Sequence, residues 1–204
     1  MQNITTLIFD LGGVIINLKT EPIWLQENLA TNFHTEKLNT LRHQNFFNRF
    51  ETGEISVSDF IRQLMSISVS NIITQEEINK SWNGILLDIP IYRIELLKEL
   101  KQRYRLILLS NTNHIHMDYI RIYMHQEFGE DILDSIFHKC FYSQEIGLRK
   151  PDKEIYEYVL QQENLQAENC LFLDDKAENL IEPQKLGIQT ILVDKDITVL
   201  LNNF

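Results

Sequence analysis

The stretch Ile4-Thr5-Thr6-Leu7-Ile8-Phe9-Asp10-Leu11-Gly12-Gly13-Val14 decides how the rest of the chain is read. An apolar run that changes abruptly to an acid and then to two glycines describes a buried strand ending in a tight, permissive loop. Open α/β sheets place ligand chemistry at such strand ends. Taken alone, Asp10 would be an ordinary turn carboxylate. Its meaning depends on what the other strand ends carry.

From Pro90 onward, helix and strand patterns alternate. Pro90 opens a helix over Ile91–Tyr104, and Arg105–Ser110 is a short apolar strand. A helix around Ile115–Phe128 follows, then a strand over Ile136–Ser143 and a helix over Lys153–Gln162. Cys170–Asp174 is a strand, Ala177–Leu186 a short helix stopped by Gly187, and Ile188–Val193 a closing strand. Strands separated by helices require crossovers, hence a parallel, doubly wound, Rossmann-like sheet in three layers.

Between about Thr20 and Asp88 no strand pattern occurs. Glu21–Phe33 and Ser58–Val69 carry apolar residues at helical spacing, with Ser56 or Ser58 as N-cap. Thr74-Gln75-Glu76-Glu77 fits a capping box, and Glu51-Thr52-Gly53-Glu54 reads as a loop. The expected organisation is a core of residues 1–16 and 89–204 with an all-helical cap, 17–88, inserted after the first strand.

The 204 residues are 44% hydrophobic, enough for a sizeable core. A formal net charge of −10 argues against nucleic acid or an anionic membrane surface as partner. Two cysteines form no disulfide framework and suit a reducing compartment. Without a signal-like opening or a membrane-length apolar run, the expectation is a cytoplasmic protein, monomer or homodimer.

Each strand end carries a polar cluster. Asp10 follows the first, Ser110-Asn111 the second, Arg149-Lys150 the third and Asp174-Asp175 the fourth. Each has a plain explanation as a turn, a cap or a solvated charge. In a parallel sheet, however, all these ends lie on one edge, so nucleophile, donors, cation and acidic pair would share one crevice.

These segments resemble the four motifs of the haloacid dehalogenase superfamily: the Asp10 strand end, Leu-Leu-Ser-Asn-Thr-Asn, Gly-Leu-Arg-Lys-Pro-Asp and Phe-Leu-Asp-Asp-Lys-Ala-Glu-Asn. Within it the chain most resembles the bacterial α-D-glucose-1-phosphate phosphatase type, in the Asp-Leu-Gly opening and in Gly53-Glu54-Ile55-Ser56. The resemblance implies a Mg²⁺-dependent hydrolase of a small phosphorylated metabolite, working through an aspartyl-phosphate. It implies Asp10 as nucleophile, and Asp10, the Gly12 carbonyl and Asp175 as metal ligands. Asp174 would bind through water or orient that shell. Lys150 and Arg149 would meet phosphoryl charge, and the Ser110 hydroxyl and Asn111 backbone N–H would donate to phosphate. Three carboxylates and a phosphate need a divalent cation, because two like charges ~4 Å apart repel by roughly 4 kcal/mol at a dielectric near 20.

One departure matters. The family's usual second aspartate, a general acid and base, is replaced by Gly12. Such a group is typically worth ~10²–10⁴ in rate. The alternative reading is therefore a slow or inactive relative that binds a phosphometabolite and regulates a partner.

Other features are read plainly. His114 and His116 lack partners at zinc-like spacing and are surface or cap-facing side chains; His125 and His138 are uninformative. Trp24, Phe46, Phe47, Phe50 and Trp82 are cap core, with one or two facing the crevice. Specificity would reside around Phe47–Glu54.

Overall fold

The computed structural model describes residues 4–20, 25–70 and 72–201. Strand β1, Thr6–Phe9, is followed by a short π-helical turn at Leu25–Leu29. Helices α1 (Thr35–His43), α2 (Phe46–Glu51), α3 (Val57–Ser66) and α4 (Gln75–Asn83) come next. Then follow α5 (Ile91–Leu100), β2 (Arg105–Ser110), α6 (His114–Phe128), α7 (Ile132–Ile136) and β3 (Lys139–Tyr142). After α8 (Ser143–Ile146) and α9 (Lys153–Gln162) come β4 (Cys170–Asp174), α10 (Ile181–Lys185), β5 (Gln189–Leu192) and α11 (Ile197–Leu200). Among the described residues no helix is long and apolar enough to cross a membrane.

All strand pairs are parallel, in the order β3-β2-β1-β4-β5. The chain runs outward from β1 through β2 to β3, then returns to lay β4 on the other side of β1. The order reverses between β1 and β4, so Asp10 and Asp174 flank the switch point where open α/β sheets bind ligands.

Within the apolar strands, alternate side chains enter different layers. Leu7, Phe9, Leu106, Leu108, Leu171 and Leu173 pack with Ile94 and Leu97 of α5 and Ile120 and Met124 of α6. Ile8, Ile107, Leu109 and Phe172 point the other way, against Ile155, Tyr156 and Val159 of α9. Both faces are covered, as a parallel sheet requires.

The helical insert has a third core, built on Phe50, Phe60, Leu64, Ile78 and Trp82. Rings of Phe50 and Phe60 stack at 3.8 Å, and Phe60 meets Trp82 edge-on at 4.8 Å. Local signals start the helices here. The Ser56 hydroxyl accepts from the Asp59 N–H and opens α3, while Thr74 and Glu77 form a reciprocal capping box for α4. Residues Glu21 to Trp24 of the expected first insert helix lie outside the described residues.

Three expected elements differ. The third strand spans only Lys139–Tyr142, not Ile136–Ser143. The Asp131 carboxylate caps the N–H groups of Leu133 and Asp134, drawing Ile136 into the one-turn helix α7. Ser143 opens α8, its hydroxyl tied to the Thr112 N–H and carbonyl at 3.0 and 3.1 Å. The Ala177–Leu186 helix is split into a 3₁₀ turn, Ala177–Leu180, and α10. Lys176 N–H and the Asn179 amide are both drawn back onto Asp174, which tightens this turn. The Ile91–Tyr104 helix ends at Leu100, because Arg105 already pairs with Thr5 along the sheet.

Candidate active site

Asp10 stands one residue beyond β1, its N–H donating to the Leu173 carbonyl of β4 at 2.9 Å. That bond fixes the carboxylate beside Asp174. Lys150 lies between them, with Nζ 2.8 Å from Asp10 Oδ1 and 2.7 Å from Asp174 Oδ2. A lysine only 1% exposed requires such counter-charges. Burial alone would lower its ammonium pKa, but the Asp10 and Asp174 carboxylates outweigh burial and hold it above the usual range.

The Lys150 backbone is held too. Asn111 donates its side-chain amide to the Lys150 carbonyl at 2.8 Å and accepts the Lys150 N–H at 2.9 Å. This two-way clasp joins the end of β2 to the lysine loop. The Asn111 side chain thus positions the cation, a use the sequence reading had not given it.

Asp174 is fully buried and occupied by protein donors: Lys150, the Lys176 N–H and the Asn179 amide on both oxygens. Asn179 is itself held by the Tyr156 hydroxyl on its carbonyl at 2.7 Å. Asp175 is different, since its Oδ1 is buried with no hydrogen-bond partner among the described residues. Gly13, at φ +77°, makes room for it. A Cβ there would lie 2.4 Å from Asp175 Oδ2, so no other residue lets the two loops close this far.

Asp10, Asp174 and Asp175 each offer a carboxylate oxygen within 4.8 Å of the others. Burial pushes the Asp10 carboxyl up to about 6, against the pull of Lys150 and with Asp174 adding to the rise. Burial and Asp174 also raise Asp175. Three acids against one lysine leave a deficit of positive charge. Together with the orphaned Asp175 oxygen, that donor set fits a hard, oxygen-seeking divalent cation.

The remaining expected residues are placed unevenly. Gly12 lines a cleft of about 190 Å³ together with Asp10, Asn111 and Lys150. A Cβ on Gly12 would lie 2.9 Å from Leu18 Cδ1, so Leu18 fills the space that a side chain at this position would need. Ser110 is buried at the end of β2, with its hydroxyl 3.5 Å from the Asn111 carbonyl. Arg149 lines the cleft, but its guanidinium donates to Glu51 of α2 at 3.0 Å, tying insert to core.

Beside the cleft, between sheet edge and insert, lies a larger cavity of about 810 Å³. Leu18, Arg149 and Lys176 line both spaces, so they adjoin. Phe47, Asn48 and Glu51 of α2 and Trp82 of α4 face this cavity. Sequence reasoning gave no place to Leu18; it held Glu51 only within the 47–54 specificity stretch, and Lys176 and Asn179 only as members of the fourth motif, without roles of their own. Only Asn179 carried a signal, its fixed place five residues beyond Asp174.

A parallel sheet with a strand-end carboxylate at its switch point, a buried lysine, an acidic cluster able to hold a metal ion and a helical insert fits a hydrolase built on a Rossmann-like fold. The chain belongs to the haloacid dehalogenase-like hydrolases, whose family model matches residues 4–187. It is 26% identical to the D-ribitol-5-phosphate phosphatase of Bacteroides thetaiotaomicron, over 98% of this chain and all of that one. It is 31% identical to a sesquiterpene phosphatase of Aspergillus oryzae, over 89% of this chain and 85% of that protein. Among solved structures it resembles a haloacid dehalogenase family enzyme of Bacteroides thetaiotaomicron, with TM-score 0.85, 29% identity and coverage of 98% and 99%. The same enzyme in complex with magnesium and inorganic phosphate matches at TM-score 0.82, with 29% identity and coverage of 97% and 98%.

Proposed function

We propose that this protein is a Mg²⁺-dependent phosphomonoester hydrolase acting on a small phosphorylated metabolite of the sugar-phosphate kind. The observation that carries the reading is that Asp10, ion-paired to Lys150, and Asp175, with one unpartnered buried oxygen, bring carboxylate oxygens within 4.8 Å of each other at the sheet edge. The phosphatase relatives and the neighbour with magnesium and phosphate support it.

Asp10 Oδ1 is engaged by the Leu11 N–H at 2.7 Å and by Lys150, which leaves Oδ2 as the attacking atom. Its lone pair forms the new bond to phosphorus while the ester P–O bond breaks and the departing alkoxide takes a proton from solvent water. Water then attacks phosphorus, the P–O bond to Asp10 breaks, the water's proton passes to solvent, and phosphate and the free carboxylate result. Lys150, held in place by Asn111, offsets charge on the phosphoryl oxygens. Asp10 and Asp175, with the Gly12 carbonyl, would hold the Mg²⁺, which when bound supplies further neutralisation of phosphoryl charge. Asp174 keeps Lys150 oriented. Residues 17–88 act as a cap that excludes water and contacts the leaving group.

The test is a phosphate-release screen over phosphometabolites, with and without Mg²⁺, using Asp10→Asn as the blank. Release above that blank that disappears on chelation is expected. Equal release from the variant would reject Asp10 as nucleophile. Leu18 in the place of an acid–base side chain favours one further reading, a slow or non-catalytic phosphometabolite-binding relative. That reading gains if ligand binds but no release exceeds the blank.

A further inference from the structure

His116 sits in the first turn of α6, where its N–H donates to the capping Asn113 side chain at 3.1 Å. Its ring lies parallel to Trp82, with centroids 5.6 Å apart and 8° between planes. Its Nδ1 is 2.8 Å from Oδ1 of the buried Asn83. Asn83 is oriented with its amide oxygen toward the ring, and in that orientation the ring proton sits on Nδ1 and Nε2 accepts. Nε2 has no partner among the described residues, and His116 lines the cavity between insert and sheet edge. Burial draws the imidazole down to about 3, so the ring stays neutral near pH 7.

An acceptor-only nitrogen in a cavity walled by Trp82, Phe47 and Leu38 selects for a donor. Lys19, Arg42 and Lys176 also line the cavity, so its charge does not exclude an anionic group, but at Nε2 itself an alkyl chain would leave the nitrogen desolvated and unpaired. The side-chain amides of Asn39 and Asn48, also on this wall, are free of hydrogen bonds among the described residues and can complete a hydroxyl-binding set.

We infer that His116 is a specificity-determining residue whose Nε2 accepts a hydrogen bond from a hydroxyl on the leaving group, so that the preferred substrate is a polyol or sugar phosphate, not an alkyl phosphate. This rests on the phosphomonoester reading of the adjoining cleft. Residues from two units hold the ring: Asn113 of the core, and Trp82 and Asn83 of the insert. The hydroxyl contact is therefore available only when insert and sheet are together.

The experiment compares D-ribitol 5-phosphate with n-pentyl phosphate, of equal chain length, in MgCl₂. Binding is measured by calorimetry in an Asp10→Asn background, and kcat/KM in the otherwise native enzyme. His116→Phe keeps a flat ring on Trp82 and removes the acceptor, whereas His116→Gln keeps an acceptor. We expect His116→Phe to weaken ribitol phosphate binding about 10- to 100-fold and leave pentyl phosphate unchanged. His116→Gln should recover most of the loss, and the kinetic change should fall mainly on KM. Equal losses on both phosphates, no loss on either, or no binding of ribitol phosphate at all each overturn the inference. If His116-dependent binding of ribitol phosphate is found without phosphate release, the hydrolase reading fails and the leaving-group role fails with it, leaving the His116–hydroxyl contact as recognition of a bound ligand. If pentyl phosphate is hydrolysed as well as ribitol phosphate, this one fails and the hydrolase reading stands.

Discussion

At the scale of single residues, Lys150 and Gly12 carry the sharpest consequences. Lys150→Met leaves Asp10 and Asp174 facing each other, buried and without the lysine as counter-charge. Breaking a buried pair in this way costs about 3–5 kcal/mol, so the urea midpoint should fall by a corresponding amount. A variant as stable as the parent would show that the carboxylates find other compensation. Gly12→Asp alone is expected to leave turnover unchanged or lower, because its Cβ meets Leu18. Adding Leu18→Ala opens that space, and the double variant should exceed the parent by about 10-fold or more in kcat, within the range of a positioned acid–base group. Steady-state phosphate release reads this directly, and a double variant no faster than Gly12→Asp would refute it. The sequence made Asp10, Lys150 and the acidic pair legible because each combines an unusual residue type with a strand end. It hid Leu18, and it placed Glu51 in the 47–54 stretch without its tie to Arg149, because both types are common and their importance arises only from which loop they face.

At the scale of elements, legibility followed the strength of the local signal. The boundaries of β2, α9 and β4 are read directly from sequence, since apolar runs of these lengths meet clear start and stop residues. β3 was read too long, because its apolar flanks, Ile136 and Phe137, pack into the core from a helical turn and not from a strand. Periodicity over so few residues does not separate the two. Capping signals were more dependable. Thr74→Ala removes the Glu77 N–H acceptor and should lower stability by about 1 kcal/mol, measured as a shift in chemical unfolding midpoint. An unchanged midpoint would mean that packing of Ile78 and Trp82 alone sets the start of α4.

Asp196 joins two elements, capping α11 and pairing with Arg93 of α5 at 2.8 Å. Burial works to raise its carboxyl, but Thr198, Arg93 and Tyr92 donate hydrogen bonds that outweigh it and hold the pKa at about 2, below the ordinary 3.8. A carboxylate with a depressed folded pKa contributes stability above its unfolded value, and loses that contribution as pH falls from about 4 through about 2. Asp196→Asn should therefore destabilise the protein near neutrality and flatten the acid side of its stability–pH curve. Unfolding midpoints taken across that window decide it, and parallel curves for both proteins would contradict it.

For the whole molecule, the proposed cation site on Asp10, Asp174 and Asp175 would tie metal binding to folding. A cation that binds the folded site and not the unfolded chain stabilises by mass action, about 2.7 kcal/mol at a hundredfold excess over Kd. Thermal melting with MgCl₂ should therefore rise relative to EDTA, and the rise should vanish in Asp175→Asn. A persistent rise in that variant would place the cation elsewhere.

The insert's core includes one side chain borrowed from the other unit, Ile115 at the start of α6. Swinging the insert away would bring that isoleucine into water and break the Arg149–Glu51 tie. Exposing that side chain costs about 2 kcal/mol, and parting Trp82 and Asn83 from His116 adds to the cost. An aliphatic anchor, a ring stack and polar ties thus share the work of keeping the doorway shut, and weakening any one of them alone leaves the others holding.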